Sequence, residues 1–158
     1  MTKEVFIRQA VAEDVPFIVE IWKELMDFHK ELDAIFSRSA TGHEKFTEYV
    51  VKNIQNEDFY IVVAVDGRDL VGYCMAKISE YPPVLQEQRY GDIENIAVTE
   101  KYRRSKIGAR LLNEVRKWYL EKSIRRVEAK VSKFNKVSTG FWAKMGFTPY
   151  LESVFLEI

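Results

Sequence analysis

The 158 residues match the length of one globular domain, which we assign to residues 1–158. Its 47% hydrophobic and 30% charged residues suffice for a buried core, and 24 basic residues balance 24 acidic ones. The zero formal net charge argues against a globally basic nucleic-acid-binding protein, and the single cysteine, Cys74, excludes an internal disulfide and any CxxC motif.

The first half of the chain predicts a strand, two helices and a hairpin. Apolar residues 5–7 indicate the strand, and Glu13 and Asp14 begin a helix whose apolar residues repeat at helical spacing through residue 28. A second helix is predicted over residues 42–53. The β-branched run 59–65 and its partner 70–78 flank an Asp-Gly turn, which predicts the hairpin.

The second half alternates strands with helices. After a break at two prolines, strands are predicted over residues 92–98, 126–131 and 151–158, with helices over residues 107–122 and 137–145. This alternation predicts a locally parallel pair, whereas the middle of the chain is an antiparallel meander. We therefore expect an α/β (α+β) fold with a mixed sheet and helices on its faces.

A basic loop, residues 101–106, precedes the helix at residue 107 and contains Lys101, Arg103, Arg104 and Lys106. Positive charge at a helix N-terminus opposes the helix dipole, which lowers stability by about 0.3–1 kcal/mol per exposed group. Free backbone N–H groups and the dipole would bind a phosphate, to which the side chains add charge. A solvated surface is the alternative, but the position between a strand and an amphipathic helix favours an anion site.

Two motifs in this region resemble those of the GNAT superfamily of acyl-CoA-dependent N-acetyltransferases. Residues 103–108, Arg-Arg-Ser-Lys-Ile-Gly, resemble the pyrophosphate loop Arg/Gln-x-x-Gly-x-Gly/Ala. Residues 135–147 resemble the segment Asn-x-x-Ala-x-x-Phe/Leu-Tyr-x-Lys-x-Gly-Phe. The resemblance implies the GNAT fold, a twisted and mostly antiparallel mixed sheet with about four helices and a parallel strand pair at the cofactor cleft.

The resemblance also implies that acetyl-CoA is the co-substrate and that strand, loop and helix residues bind it. The implied residues are Ile96, Ala97, Val98, Arg103, Arg104, Ser105, Lys106, Ile107, Gly108, Ala109, Asn135 and Trp142. Lys106 replaces the first loop glycine, so the backbone either stays at negative φ or is strained. Trp142 replaces a tyrosine that often acts as the acid. Because an indole N–H is no useful acid, packing in the core or against the cofactor is favoured for Trp142.

Glu94 is the candidate catalytic residue, because a carboxylate in an apolar strand is costly unless it is paired or useful. An amine acceptor is mostly protonated at neutral pH and must lose a proton, and the resemblance places a catalytic glutamate at Glu94. The alternatives are that Glu94 pairs with a cation or faces solvent, and that Asp92 is the base. Strand alternation predicts that Asp92 and Glu94 share a face with Ile96 and Val98.

The acceptor pocket is the least patterned part of the sequence. His29, Asp33 and Phe36 follow the first helix, which lines the acceptor pocket in this family, although a histidine there is more often a surface residue. Cys74 lies in an apolar strand without an activating neighbour, so we expect it to be buried and inert.

We therefore expect an enzyme that transfers an acetyl group from acetyl-CoA to a primary amine of a small molecule or a protein in a ternary complex. The alternative is an acyl-CoA sensor of the same fold without turnover. We expect no metal, nucleic-acid or membrane partner and a cytoplasmic location. The apolar last strand suggests a homodimer, because an edge strand exposes unpaired backbone groups.

Overall fold

The computed structural model describes residues 4–158, which form five strands and four α-helices. The strands are β1 (Val5–Gln9), β2 (Phe59–Asp66), β3 (Asp69–Glu80), β4 (Arg89–Val98) and β5 (Val127–Ala129). The helices are α1 (Val15–Leu32), α2 (Gly42–Asn53), α3 (Ile107–Glu121) and α4 (Lys136–Lys144). Among these residues no helix combines the length and the apolar character needed to cross a membrane.

The strands form a single sheet in the order β1-β2-β3-β4-β5. All neighbours are antiparallel except β4 and β5, which are parallel. This arrangement confirms the predicted mixed sheet with a local parallel pair.

Each face of the sheet carries its own core, because successive side chains of a strand point to opposite faces. On β3, Cys74 and Ala76 pack with Leu111 and Val115 of α3. The β3 residues that point to the other face, among them Tyr73 and Met75, pack with α1 and α2. The sheet therefore separates an α3 face from an α1/α2 face.

Strand β4 contains a bulge at Glu94. Met75 of β3 pairs with Asn95 and the next residue, Ala76, pairs with Ile93, so Glu94 has no partner on β3. A bulge of one residue reverses the alternation of side chains beyond it. As a result Ile93, Ile96 and Val98 all pack on the α3 face.

The bulge overturns part of the sequence prediction. Asp92 and Glu94 were expected on the same face as Ile96 and Val98, but Glu94 contacts Tyr49 of α2, on the opposite face from Ile96 and Val98. Simple alternation fails because it assumes one residue on β4 for each residue on β3.

Strands β4 and β5 pair over only three residues. Gly91, Asp92 and Ile93 face Val127, Glu128 and Ala129, and the pairing ends there. From Glu94 to Val98, β4 therefore borders a gap on its β5 side, and Glu94 lies where this gap begins. We call this space the β4–β5 gap.

The prediction of a last strand over residues 151–158 is wrong. Residues 148–158 form no helix or strand and are exposed, with Val154 91% and Phe155 83% accessible. Tyr150 at the base of this segment does contact β5, because its hydroxyl donates to Glu128 Oε1 at 2.8 Å. An apolar, β-branched sequence favours a strand but does not supply the partner that a strand needs.

Candidate active site

Glu94 lies at the centre of a hydrogen-bonded group on the α1/α2 face. The hydroxyl of Tyr49 on α2 donates to the carboxylate, at 2.8 Å from Oε1 and 2.9 Å from Oε2. The ammonium group of Lys77 on β3 lies 2.5 Å from Oε1. The Glu94 side chain is 17% exposed, so the carboxylate is largely withdrawn from water but satisfied. The alternative that Glu94 pairs with a cation is therefore realised.

The environment keeps Tyr49 and Lys77 protonated. Burial raises the pKa of Tyr49, and the hydrogen bond and charge of Glu94 raise it further, so the phenol remains a donor. Burial alone would lower the pKa of Lys77, but the hydrogen bond to Glu94 and the charges of Glu94 and Asp92 raise it.

Asp92 is the second carboxylate of this group. Its Oδ2 lies 3.9 Å from Lys77 Nζ, and its backbone pairs with Lys77 on one side and with Glu128 on the other. Burial raises the pKa of Asp92, and the nearby negative charge of Glu94 adds to the increase. Asp92 and Glu94 thus flank one ammonium group.

The basic loop leads directly into the N-terminus of α3, as predicted. Residues 103–106 are exposed, and α3 begins at Ile107 without a capping hydrogen bond from the side chain of its N-cap residue, Lys106. The first N–H groups of a helix have no partner within the helix, so those of Ile107, Gly108 and Ala109 are positioned to bind an anion. A phosphate site in this loop stays a prediction.

The loop backbone resolves the question raised by Lys106. Its φ is +63°, as the family glycine would allow, so the strained alternative applies. Arg104 also has φ of +63°, which the sequence did not indicate. Arg103 instead reaches back, with Nε donating to the Val98 carbonyl at 3.2 Å and its guanidinium 5.9 Å from the Phe28 ring.

Ile96, Ala97 and Val98 form the β4 side of the gap. They pair with Cys74, Tyr73 and Gly72 of β3 and face no strand on the other side among residues 4–158. The backbone groups of these residues that point away from β3 are thus available to a ligand in the gap, apart from the Val98 carbonyl, which accepts from Arg103 Nε.

Asn135 and Trp142 both contact Ser138 on α4. The Asn135 side chain caps the helix by accepting from the Ser138 N–H at 3.0 Å and is 5% exposed. Trp142 is buried, and its Nε1 donates to Ser138 Oγ at 3.0 Å. Trp142 belongs to the α3-face core, in keeping with the packing role favoured by the sequence. A contact of either residue with pantetheine remains a prediction.

The three residues predicted for the acceptor make local contacts. His29 Nδ1 lies 2.8 Å from the Leu25 carbonyl, and its ring stands edge-on to Phe36 at 5.6 Å. Asp33 Oδ1 accepts from the Ile35 N–H at 3.0 Å. In the described part of the chain no hydrogen bond or ion pair joins these residues to Glu94.

Tyr49 and Lys77 were missed by the sequence reasoning. Lys77 interrupts an apolar strand as Glu94 does, which was the available signal. Tyr49 carried no comparable signal, since an aromatic residue in an amphipathic helix is usually core. Cys74 is fully buried and burial raises the pKa of its thiol, which agrees with the expected inert role.

Comparison with known proteins decides the family. The model of the acetyltransferase (GNAT) family matches residues 19–147, which is more than half of the chain. This chain belongs to the GNAT family of acetyltransferases. It is accordingly an acetyl-transferring enzyme by family, and no protein of curated function matched its sequence.

Solved structures share the fold at low identity. A tetramutant of the BH1408 protein from Bacillus halodurans is 20% identical with a TM-score of 0.83, covering 97% of this chain and 99% of that one. A predicted acetyltransferase from Clostridium acetobutylicum with acetyl-CoA is 18% identical with a TM-score of 0.80, covering 98% and 96%. The aminoglycoside N-acetyltransferase AAC(6')-Iy in complex with CoA is 19% identical with a TM-score of 0.73, covering 100% and 97%.

Proposed function

We propose that the enzyme transfers the acetyl group of acetyl-CoA to a primary amine by direct attack, with Glu94 accepting the amine proton. The observation that carries the proposal is the position of the Glu94 carboxylate, largely withdrawn from water at the start of the β4–β5 gap. A base near the reacting amine is needed because amines are protonated at neutral pH.

The proposed acetyl-CoA site runs from the basic loop into the gap. Arg103, Arg104 and the N-terminus of α3 would bind the pyrophosphate, and the backbone of residues 96–98 would pair with pantetheine and polarise the thioester carbonyl. CoA-bound structures among the neighbours support this choice of co-substrate. Binding in this direction would bring the thioester close to Glu94.

The acceptor would approach Glu94 from the α1/α2 face. The Glu94 and Asp92 carboxylates together carry one negative charge more than Lys77 neutralises, and this excess would attract the ammonium group of an acceptor. After the proton moves to Glu94, the amine attacks the thioester carbon, the C–S bond breaks and the thiolate takes up a proton. Aminoglycoside acetyltransferases among the structural neighbours support an amine acceptor.

The test of the catalytic role is Glu94→Gln, which retains shape but removes basicity. We expect kcat to fall by about 10²- to 10⁴-fold with little change in acetyl-CoA affinity, and the residual rate to rise with pH as more amine arrives deprotonated. Glu48→Gln, at an exposed position on the same helix as Tyr49, is the matched control. A Glu94→Gln enzyme with wild-type turnover would exclude Glu94 and make Asp92 the next candidate.

The cofactor site has a separate test. Arg104→Ala should weaken acetyl-CoA by about tenfold or more in titration calorimetry while leaving a phosphate-free pantetheine fragment unaffected, since a charge-assisted hydrogen bond contributes roughly 1.5–3 kcal/mol. Equal losses for both ligands would remove the phosphate assignment. Tight acetyl-CoA binding without thiol release for any amine would instead favour the sensor without turnover.

A further inference from the structure

The proposed site already contains an amine of the protein itself. Lys77 Nζ lies 2.5 Å from Glu94 Oε1 and 3.9 Å from Asp92 Oδ2, and its side chain is 26% exposed. These are the two carboxylates that would attract the ammonium group of the proposed acceptor. Lys77 thus holds an amine in direct contact with the proposed base.

The register of the sheet places this amine near the start of the β4–β5 gap. Lys77 is paired with Asp92 across β3 and β4, two residues from the point where the β4–β5 gap begins at Glu94. Lys77 occupies an odd-numbered position of β3, as Tyr73 and Met75 do, so its side chain points to the α1/α2 face, from which the acceptor would approach. The side chain of a lysine has four rotatable bonds, so small adjustments of Nζ require no movement of the strand.

We propose that Lys77 is an internal acetyl acceptor that the enzyme modifies on its own chain when acetyl-CoA is bound. The inference rests on the proposed function, because it uses the same base and the same thioester. Glu94 takes one proton from the Lys77 ammonium, and the free Nζ attacks the thioester carbon. The C–N bond forms, the C–S bond breaks, and the thiolate leaves and takes the second nitrogen proton to give the CoA thiol.

Uncatalysed acetylation would select other lysines. Free thioesters react with unprotonated amines, and the raised pKa and ion pairs of Lys77 keep it protonated in the absence of catalysis. Lys52 on α2 is exposed and makes no ion pair among the described residues, so it reports the uncatalysed rate. Faster acetylation of Lys77 than of the more exposed Lys52 would therefore indicate catalysis.

The experiment incubates the purified protein with deuterated acetyl-CoA in the absence of an added amine and follows peptides by mass spectrometry. We expect Lys77 to be labelled about tenfold faster than Lys52 or more, at a rate that does not change on dilution. Glu94→Gln should slow labelling of Lys77 by about 100-fold and leave Lys52 unchanged. Lys77→Arg should remove the fast label, and circular dichroism checks that both variants are folded.

The outcomes separate this inference from the proposed function. If added amines are acetylated but Lys77 is labelled no faster than Lys52, or at a rate that falls on dilution, self-acetylation is wrong and the proposed function stands. If acetyl-CoA binds but neither Lys77 nor any added amine is acetylated, the proposed function itself fails.

Discussion

Replacing Gly91 with alanine tests how closely the sheet packs against α3. An added Cβ would lie 2.6 Å from Cε1 and Cζ of the Tyr119 ring, well inside van der Waals contact. Tyr119 is 1% exposed, and its hydroxyl donates to the Lys77 carbonyl at 3.1 Å, so the ring has little room to move. Overpacking of this kind costs roughly 1–3 kcal/mol, and loss of the hydroxyl bond about 1 kcal/mol more. We expect a destabilisation of about 2–4 kcal/mol.

Urea denaturation followed by circular dichroism measures this change as a shift in the free energy of unfolding. Gly140→Ala is the matched control, because Gly140 lies in α4 and, outside its own helix turn, no atom of residues 4–158 comes within 4 Å of the added Cβ. The same substitution there should stabilise the protein by about 0.5–1 kcal/mol, since alanine is the better helix former.

The explanation can also be tested in a double-mutant cycle. In a Tyr119→Leu background the ring that clashes with the new Cβ is gone, so Gly91→Ala should cost less than it does in the wild type. A Gly91→Ala protein within about 0.5 kcal/mol of wild type would refute the clash, as that is the range of ordinary surface substitutions.

Three further predictions follow from other features. Tyr73→Phe should leave stability unchanged or raise it by up to about 1 kcal/mol in urea denaturation, because the buried hydroxyl has no partner among residues 4–158; a clear loss would contradict this. Lys106→Gly and Lys106→Ala should both weaken acetyl-CoA in calorimetry, but only the glycine should relieve the positive φ and unfold at equal or higher urea than wild type; matching midpoints for the glycine and alanine variants would count against strain. Light scattering should give the mass of a homodimer that becomes monomeric when residues 151–158 are removed, and a monomeric full chain would reject pairing through this segment.

Most of the fold was predictable because local patterns determine it. Helix α2 was predicted over residues 42–53 and found as Gly42–Asn53, since its apolar residues repeat at helical spacing and face one side of the sheet. The hairpin of β2 and β3 was likewise predicted, because an Asp-Gly turn specifies its own partner strand. Residues 151–158 lacked such a local partner, so their apolar pattern alone could not show where they pack.

The candidate site was likewise predictable only in part. Glu94 was identifiable because a charge in an apolar strand demands an explanation. Tyr49 lies 45 residues away along the chain, and only the packing of α2 on the sheet brings its hydroxyl to the carboxylate. The bulge that places Glu94 on a different face from Ile96 and Val98 depends on pairing with β3, so no property of the β4 sequence by itself reveals it.

The bulge at Glu94 also makes the spacing of β4 as important as its composition. The side chains that point to the α3 face occupy an odd-numbered position before Glu94, at Ile93, and even-numbered positions after it, at Ile96 and Val98. Deleting Asn95 would remove the extra residue and leave Ile93, Ile96 and Val98 on the α3 face of a regular strand, whereas inserting one residue beside Glu94 would turn Ile96 and Val98 toward α1 and α2. Variants that exchange side chains along β4, or that remove the extra residue, therefore preserve the division between the two faces, whereas a one-residue insertion abolishes it.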